Sequence, residues 1–455
     1  MVSFFLQTKN IFCGYFVNVA GVFNVAGLKL FLKISWLFRK KNYFYNSPND
    51  LTISLALPNR IYKLHMKRVI LRLTALIMLV GTADAAYSQS TEPINVVTTA
   101  VPFLRISPDA RAGGMGDVGV STIPDANSNY WNQAKLPFAK SKGAIGLNYT
   151  PWLKGLDLND VYLVSANGYG KIDELQAISG SVRYFSLGNI QFTDNSGNDL
   201  QTFRPREFAV DAGYSRKLSE KSGIGIALRY INSNLASGQS ASGSTYKTGT
   251  SIAADLSFFH DGSEGGVVSG FNWGVTMTNL GTKISYTDNA SEKDYIPANL
   301  GLGLAYVSVF DETNKVTFAM DVNKLMVPTP PALGDSAGLA DYYSKSVVSS
   351  WFSSFGDAPG GFSEELKEFQ ISVGAEYTYN DQFSFRAGYF YENPTKGDRQ
   401  YFTVGAGLNY NLFGLNFSYL IPSGTGVNRN PLSNTIRFSI LFNLDKSTAV
   451  GVDTQ

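Results

Sequence analysis

The chain has 455 residues, with 38 Lys and Arg against 36 Asp and Glu, two histidines and one cysteine. That near-neutral balance excludes a polycation held on nucleic acid by its phosphates. A single cysteine excludes a disulfide framework and a thiolate metal site.

Residues 1–65 hold the only cysteine, Cys13, and one histidine, His65, in Phe-, Asn-, Lys- and Tyr-rich runs without caps or a sustained period. The pattern changes at Met66. "MKRVILRLTALIMLVGTADAAYSQS" has a basic start (Lys67, Arg68), an apolar stretch from Val69 to Val80 and small residues at Ala83 and Ala85. This order describes a secretory signal peptide over 66–85. It is too short for a comfortable membrane span, and Arg72 interrupts it. Translation is therefore expected to start at Met66, with 1–65 an upstream extension. Without residues 1–85 the chain carries 27 basic and 34 acidic residues, a net charge of −7. No nucleic-acid partner is expected.

Residues 86–142 form an N-terminal segment whose glycines, Gly113, Gly114, Gly116 and Gly119, sit close together. A phosphate loop needs a buried strand before such glycines and a helix N-terminus after them. "ISPDARAGGMGDVGVSTIPDA" offers neither. The glycines instead read as sites of tight chain reversal, and "PDANSNYWNQAKL" as a short helix capped by Asp125 or Asn127. Such a segment suits a hatch in a barrel mouth.

From 143 to 444 the chain alternates. In "FQISVGAEYTY", Phe369, Ile371, Val373, Ala375, Tyr377 and Tyr379 share one face, and Gln370, Ser372, Gly374, Glu376 and Thr378 the other. A period of two is the strand signature. The runs predict about fourteen strands of roughly ten residues, the length of a tilted strand crossing a bilayer. Aromatics at strand ends (Tyr149 and Trp152, Tyr377 and Tyr379, Tyr389 and Tyr391, Phe417 and Tyr419) suit interfacial girdles. The other face carries Glu207, Asp211, Arg229, Asp255, Asp321, Glu376, Arg386 and Arg437, which predicts an aqueous lumen lined by opposed charges with lipid outside. The fold expected is all-β: a transmembrane antiparallel barrel in the outer membrane of a Gram-negative bacterium.

Links after even strands are short and those after odd strands longer, which puts the long loops outside and the start of the N-terminal segment in the periplasm. The longest insertion, 325–368, follows strand nine. Tyr342, Tyr343, Val347, Trp351, Phe352 and Phe355 recur there at roughly helical spacing, and "SEELKEF" reads as a capped turn. Exposed aromatic surface of this kind either lids the barrel or docks a partner; Tyr342, Tyr343, Trp351, Phe352 and Phe355 are the docking candidates. A polar tail, 445–455, closes the chain.

No catalytic residue, metal set or cofactor is assigned. The second histidine, His260, falls at a periplasmic strand end without an evident serine partner. Glu207 and Asp211 share a face, but opposed charges in a lumen are normally structural.

The block "SPDARAGGMGDVGVSTIPDANSNYWNQAKLPF" (107–138) resembles the PorV (LptO) family of type IX secretion outer-membrane proteins of Bacteroidota. More distantly, it is similar to FadL-like transporters, in which a glycine-rich start precedes an "NPA"-like turn. Here Gln133 stands where that turn has proline. The motif residues are Arg111, Gly113, Gly114, Gly116, Asp117, Asp125, Asn127, Trp131 and Asn132. The resemblance implies a FadL-like barrel with a hatch and a non-enzymatic role. In that role the protein would accept cargo through its C-terminal signal domain from a large SprA/Sov-like translocon. It would then deliver the cargo to a PorU-like sortase attachment complex, among outer-membrane lipids. The rival expectation is a FadL-type channel for hydrophobic small molecules.

Overall fold

The computed structural model describes residues 95–153, 160–193, 199–241, 244–288, 293–331, 334–421, 432 and 434–445. The expected upstream extension, the expected signal peptide and most of the C-terminal tail lie outside these residues. Fourteen antiparallel strands close on themselves, the first pairing with the last. They are β1 Gly143–Pro151, β2 Val161–Lys171, β3 Gln176–Leu187, β4 Arg206–Lys217, β5 Ser222–Asn234, β6 Gly249–Asp261 and β7 Gly270–Gly281. The others are β8 Asn299–Val309, β9 Asn314–Leu325, β10 Gln370–Tyr379, β11 Phe383–Tyr391, β12 Tyr401–Tyr410, β13 Phe413–Ile421 and β14 Ile436–Asn443. Each strand pairs with its chain neighbour, so every backbone ladder is satisfied without a free edge, as hydrocarbon demands.

Register keeps sidedness constant around the cylinder. Ser372 lies opposite Asp321, Glu376 opposite Arg386 and Asp211 opposite Arg229, all on the inner face. The outer face is apolar and exposed: Leu228 at 61%, Ile252 at 64% and Phe385 at 60%. This inverts the usual soluble pattern, and a lipid belt explains it. Tyr149, Tyr377 and Tyr379 are exposed on this face. Trp152 departs from the expected girdle by turning inward, where it packs on the cluster holding Phe103 and Phe185.

The short links are tight turns. Between β10 and β11, Asn380 and Asp381 both take positive φ, 52° and 51°. That is the conformation of a primed turn, closed by Gln382 N–H onto the Tyr379 carbonyl at 3.0 Å, and Asn and Asp tolerate it. On the opposite rim, the β3–β4 link carries its own hairpin (190–193 with 199–203), and the β9–β10 link carries three helices: α1 Ser336–Ser344, α2 Val347–Ser353 and α3 Phe362–Glu365. Among the described residues no helix is long and apolar enough to cross a membrane.

The N-terminal segment fills the barrel. It starts not on the periplasmic rim, as expected from strand parity, but among the outer loops: Asn95 N–H donates to Thr395 and Ala100 N–H to Tyr295. It then runs down the lumen and enters β1 at the short-turn end. Strand parity fixes only the end at which β1 starts; the 48 residues before it, from Asn95, are long enough to traverse the lumen once.

Candidate functional site

The plug is built from short pieces that could not persist alone. Asp109 caps one helical turn, Ala110–Gly113, accepting from Ala112 N–H at 2.8 Å and from the Trp131 indole at 2.7 Å. A second turn spans Ser128–Trp131; Asn127 holds its N-cap position without capping it. The Asn127 carboxamide instead accepts from Asn148 and Asn167 of the wall, each at 2.8 Å. A 3₁₀ stretch, Gln133–Phe138, follows, and the Asn132 side chain caps it. It accepts from Ala134 N–H at 3.0 Å and donates to Val120 and Phe258 carbonyls at 3.1 and 3.0 Å. Gln133, buried, accepts from Ser179 at 2.6 Å.

The plug glycines serve close approach more than reversal. Gly113 and Gly114 lie in or beside the first helical turn, and only Gly116 has positive φ, 73°. A Cβ on Gly114 would sit 3.0 Å from the Cα of Gly405 in β12, and one on Gly116 2.7 Å from the Tyr389 backbone. The indole of Trp131 occupies the place of a Gly119 side chain. The wall answers in kind. A Cβ on Gly374 would overlap the Met115 carbonyl oxygen and sit 2.7 Å from its Cβ, one on Gly303 would meet Val120 at 2.7 Å, and one on Gly225 would meet Gln133 at 2.6 Å. Lumen-facing wall glycines thus form an imprint of the plug.

Charges tie the two together. Arg111 forks onto Glu376 of β10 at 3.0 and 2.8 Å, and also bonds Asp125 at 3.0 Å. Arg386 takes the same Glu376 at 2.6 Å. Asp117 receives Arg437 at 2.5 Å and the Tyr401 hydroxyl at 2.7 Å. Arg229 pairs with Asp255 at 2.7 Å, while Asp211 is shared by Arg229 and Arg183. Glu207 has no cation beside it among the described residues and accepts from Ser233 at 2.7 Å. All the wall charges named from sequence are therefore brought to the lumen face. The aqueous lumen expected around them is corrected: each is at most 6% exposed, because the plug covers it. Nor is the inner wall wholly polar; Leu163, Phe185 and Ile231 pack against Val101, Phe103 and Leu104 of the plug.

The outer loop folds down onto the rim. Lys283 donates to the Tyr343 and Lys345 carbonyls at 2.8 and 2.9 Å, and the Tyr295 hydroxyl donates to Tyr342 and Lys345. Lys324 bonds Glu365 and Glu368, and Lys396 bonds Glu364 and Glu368. Burial alone would raise the Glu364 carboxyl, but Lys396, Gly360 N–H and Asn95 together hold it below its usual range. Burial raises that of Asp357. The expected single helical run breaks at Lys345, because Ser346 caps a new helix through Ser349 N–H. The turn at "SEELKEF" begins at Gly361 without a side-chain cap. Tyr342, Tyr343 and Trp351 are half-buried, whereas Phe352 is 71% and Phe355 42% exposed, beside Phe362 at 77%.

A model of the type IX secretion system protein PorV matches residues 88–332, more than half of the chain and the whole stretch from plug to β9. The chain belongs to the PorV family. Among solved structures it is similar to the Pseudomonas putida toluene transporter TodX, at 12% identity over 77% of this chain and 98% of that one with a TM-score of 0.43. It is likewise similar to the CymD monoaromatic hydrocarbon channel (12%, 77% and 100%, 0.45) and to a Pseudomonas aeruginosa FadL homologue (12%, 77% and 99%, 0.39). No curated protein matches. The protein is thus an outer-membrane barrel component of type IX secretion.

For a PorV-family chain, three features of the plug and rim escaped sequence reasoning. Asp321 accepts from Gly119 and Val120 N–H at 2.7 and 2.9 Å, and Lys135, 1% exposed, donates to the Gly119 carbonyl at 2.6 Å. The third is a correction: His260 does have a serine partner, Ser222 Oγ at 3.0 Å from Nδ1. β5–β6 register brings the two together across 38 residues of sequence. The pair lies on the outer face beside exposed Trp273, with which the imidazole stacks, and not in a cleft that could hold a substrate.

Proposed function

We propose that the protein is a non-enzymatic carrier of type IX cargo. It would bind the C-terminal signal domain of secreted proteins at its extracellular rim, receive them from the translocon and pass them to a sortase-like attachment complex. The observation that carries this reading is the outer loop, clamped to the rim by Lys283, Lys324 and Lys396 while turning Phe352, Phe355 and Phe362 to solvent. A rigid base under exposed aromatics is the build of a docking platform. A lumen filled by the plug directs function to the surface. The rival reading, a channel for hydrophobic compounds, would want a mainly apolar path; the buried arginines of the lumen count against it.

The test combines Phe352→Ser, Phe355→Ser and Phe362→Ser in one chain and follows C-terminal-signal proteins at the cell surface and in the periplasm. Under this reading they leave the surface while the barrel still reaches the outer membrane. Normal surface attachment would refute it. A photoprobe at Trp351 should give intermolecular adducts in cells; solely intramolecular ones would count equally against docking.

A further inference from the structure

A space of about 230 Å³ remains between plug and wall in the outer half of the barrel, and its lining includes Arg105, Arg183, Arg229, Arg399 and Arg437. A second space, of about 300 Å³, lies above it among the outer loops and shares Pro102, Arg105, Gln370 and Arg399 with the first. Arg105 therefore stands at the neck of a passage that opens to the extracellular face.

The charges around the inner space do not balance. Arg399 forks onto Glu392 at 2.7 and 2.8 Å, Arg437 pairs with Asp117, and Arg229 with Asp255. Arg183, 1% exposed, has Asp211 as its one carboxylate among the described residues, at 3.4 Å, and shares it with Arg229; its other partner is the neutral Leu104 carbonyl at 3.4 Å, and its Nε has no hydrogen-bond partner. Arg105 makes no ion pair among the described residues; its side-chain partner is the neutral Gln370 carboxamide at 3.1 Å. Five guanidiniums thus face four carboxylates. Asp109, further down the plug, is already engaged by Ala112 N–H and Trp131. The surplus is one positive charge, at the neck. Arg399 is also braced over the Phe390 ring at 5.4 Å and Arg183 over Tyr130 at 5.1 Å, which holds planar forks in place before a ligand arrives.

We propose that this space is a receptor for a single carboxylate entering from outside the cell, with Arg105 as its principal ligand and Arg183 and Arg399 flanking it. Guanidinium forks match a carboxylate bidentately, and one negative charge closes the local deficit. The mouth above is lined by Val96, Val97, Thr98 and Thr99, whose backbone N–H groups have no partner among the described residues, and by Glu368 and Glu392, which are held by Lys396 and Arg399. The carboxylate can therefore belong to a free small molecule or to the end of a polypeptide lying along that segment. The site does not depend on the cargo-carrier reading above.

Calorimetry on the full chain in detergent tests it with three probes: acetyl-tetraalanine with a free C-terminus, the same peptide as its C-terminal amide, and propionate. The free acid should bind at least tenfold more tightly than the amide. Propionate binding as well as the peptide acid would assign the site to free carboxylates, and peptide acid alone to chain termini. Arg105→Gln should weaken binding at least tenfold with an unchanged melting temperature, since its partner is uncharged. Equal binding of acid and amide, no heat from any probe at millimolar concentration, or full affinity in Arg105→Gln would overturn the proposal. The acid–amide comparison needs no variant and so survives a folding defect.

Discussion

Gly388 in β11 has no conformational need to be glycine, since its backbone is ordinary strand. A Cβ there would overlap the backbone of Met115 and Gly116, which no side-chain rotation can relieve. Gly388→Ala should therefore destabilise the barrel by about 1–3 kcal/mol, the usual range for overpacking a filled interior. Gly170→Ala supplies the control, because nothing lies within 4 Å of its virtual Cβ. Thermal melts in detergent, read by β-sheet circular dichroism, should separate the two. Equal melting temperatures would mean that the plug does not press on the wall at Met115. This role was not legible in the sequence. A glycine that turns the chain and a glycine that admits another backbone look alike until the partner is known, and Met115 lies more than 250 residues away. Asn132 was legible as a motif residue, but its partners were not: the Phe258 carbonyl it holds lies 126 residues away.

The outer loop is an element whose parts were legible and whose posture was not. Ser346 is a plain cap signal, yet apolar spacing from Tyr342 to Phe355 runs straight across it, so the spacing predicts one helix where two stand. Clamping by Lys283, Lys324 and Lys396 could not be read, because Lys283 and Lys396 come from two other strand connections and Lys324 from β9 itself. This posture predicts a pH response. The Glu364 carboxyl is held below its ordinary 4.5, so its stabilising contribution is present above that value and is lost as pH falls through the lower folded value. Asp357, raised by burial, works in the opposite sense: its contribution is full when protonated and fades as pH rises through its folded value. Limited proteolysis of the 326–369 segment should accelerate below about pH 4.5 in the parent chain. Glu364→Gln should already be loosened at pH 7 and show no further acid step from this residue. Unchanged cleavage of both proteins across that range would remove Glu364 from the clamp.

At the scale of the whole molecule, alternation was the most legible feature, because a bilayer outside and a filled polar lumen inside put opposite demands on every second residue. Leu304, midway along β8 and 50% exposed, faces lipid; Leu304→Arg should cost about 2–4 kcal/mol, the range for an arginine at the bilayer midplane. Folding into vesicles measured against denaturant would read that loss, and a neutral result would move the belt. What alternation could not reveal is that the inner face is satisfied by protein in place of water. The inner wall holds Glu376, Arg386, Asp321 and Arg437, of which Glu376, Asp321 and Arg437 take partners directly from the plug. It also carries Leu163, Phe185 and Ile231, which would face water without Val101, Phe103 and Leu104. A displaceable cork over a finished pore would leave a stable barrel behind when removed. A plug that completes the core would not, since breaking buried ion pairs one-sidedly costs about 3–5 kcal/mol each, against a total stability of roughly 5–15 kcal/mol for an ordinary domain. Deleting residues 95–138 while keeping the export signal should therefore yield a chain that fails to accumulate in the outer membrane. Supplying the plug as a separate exported peptide should partly restore it. A plugless barrel that assembles, resists protease and conducts ions in planar bilayers would show instead that the wall stands by itself and the segment is a gate.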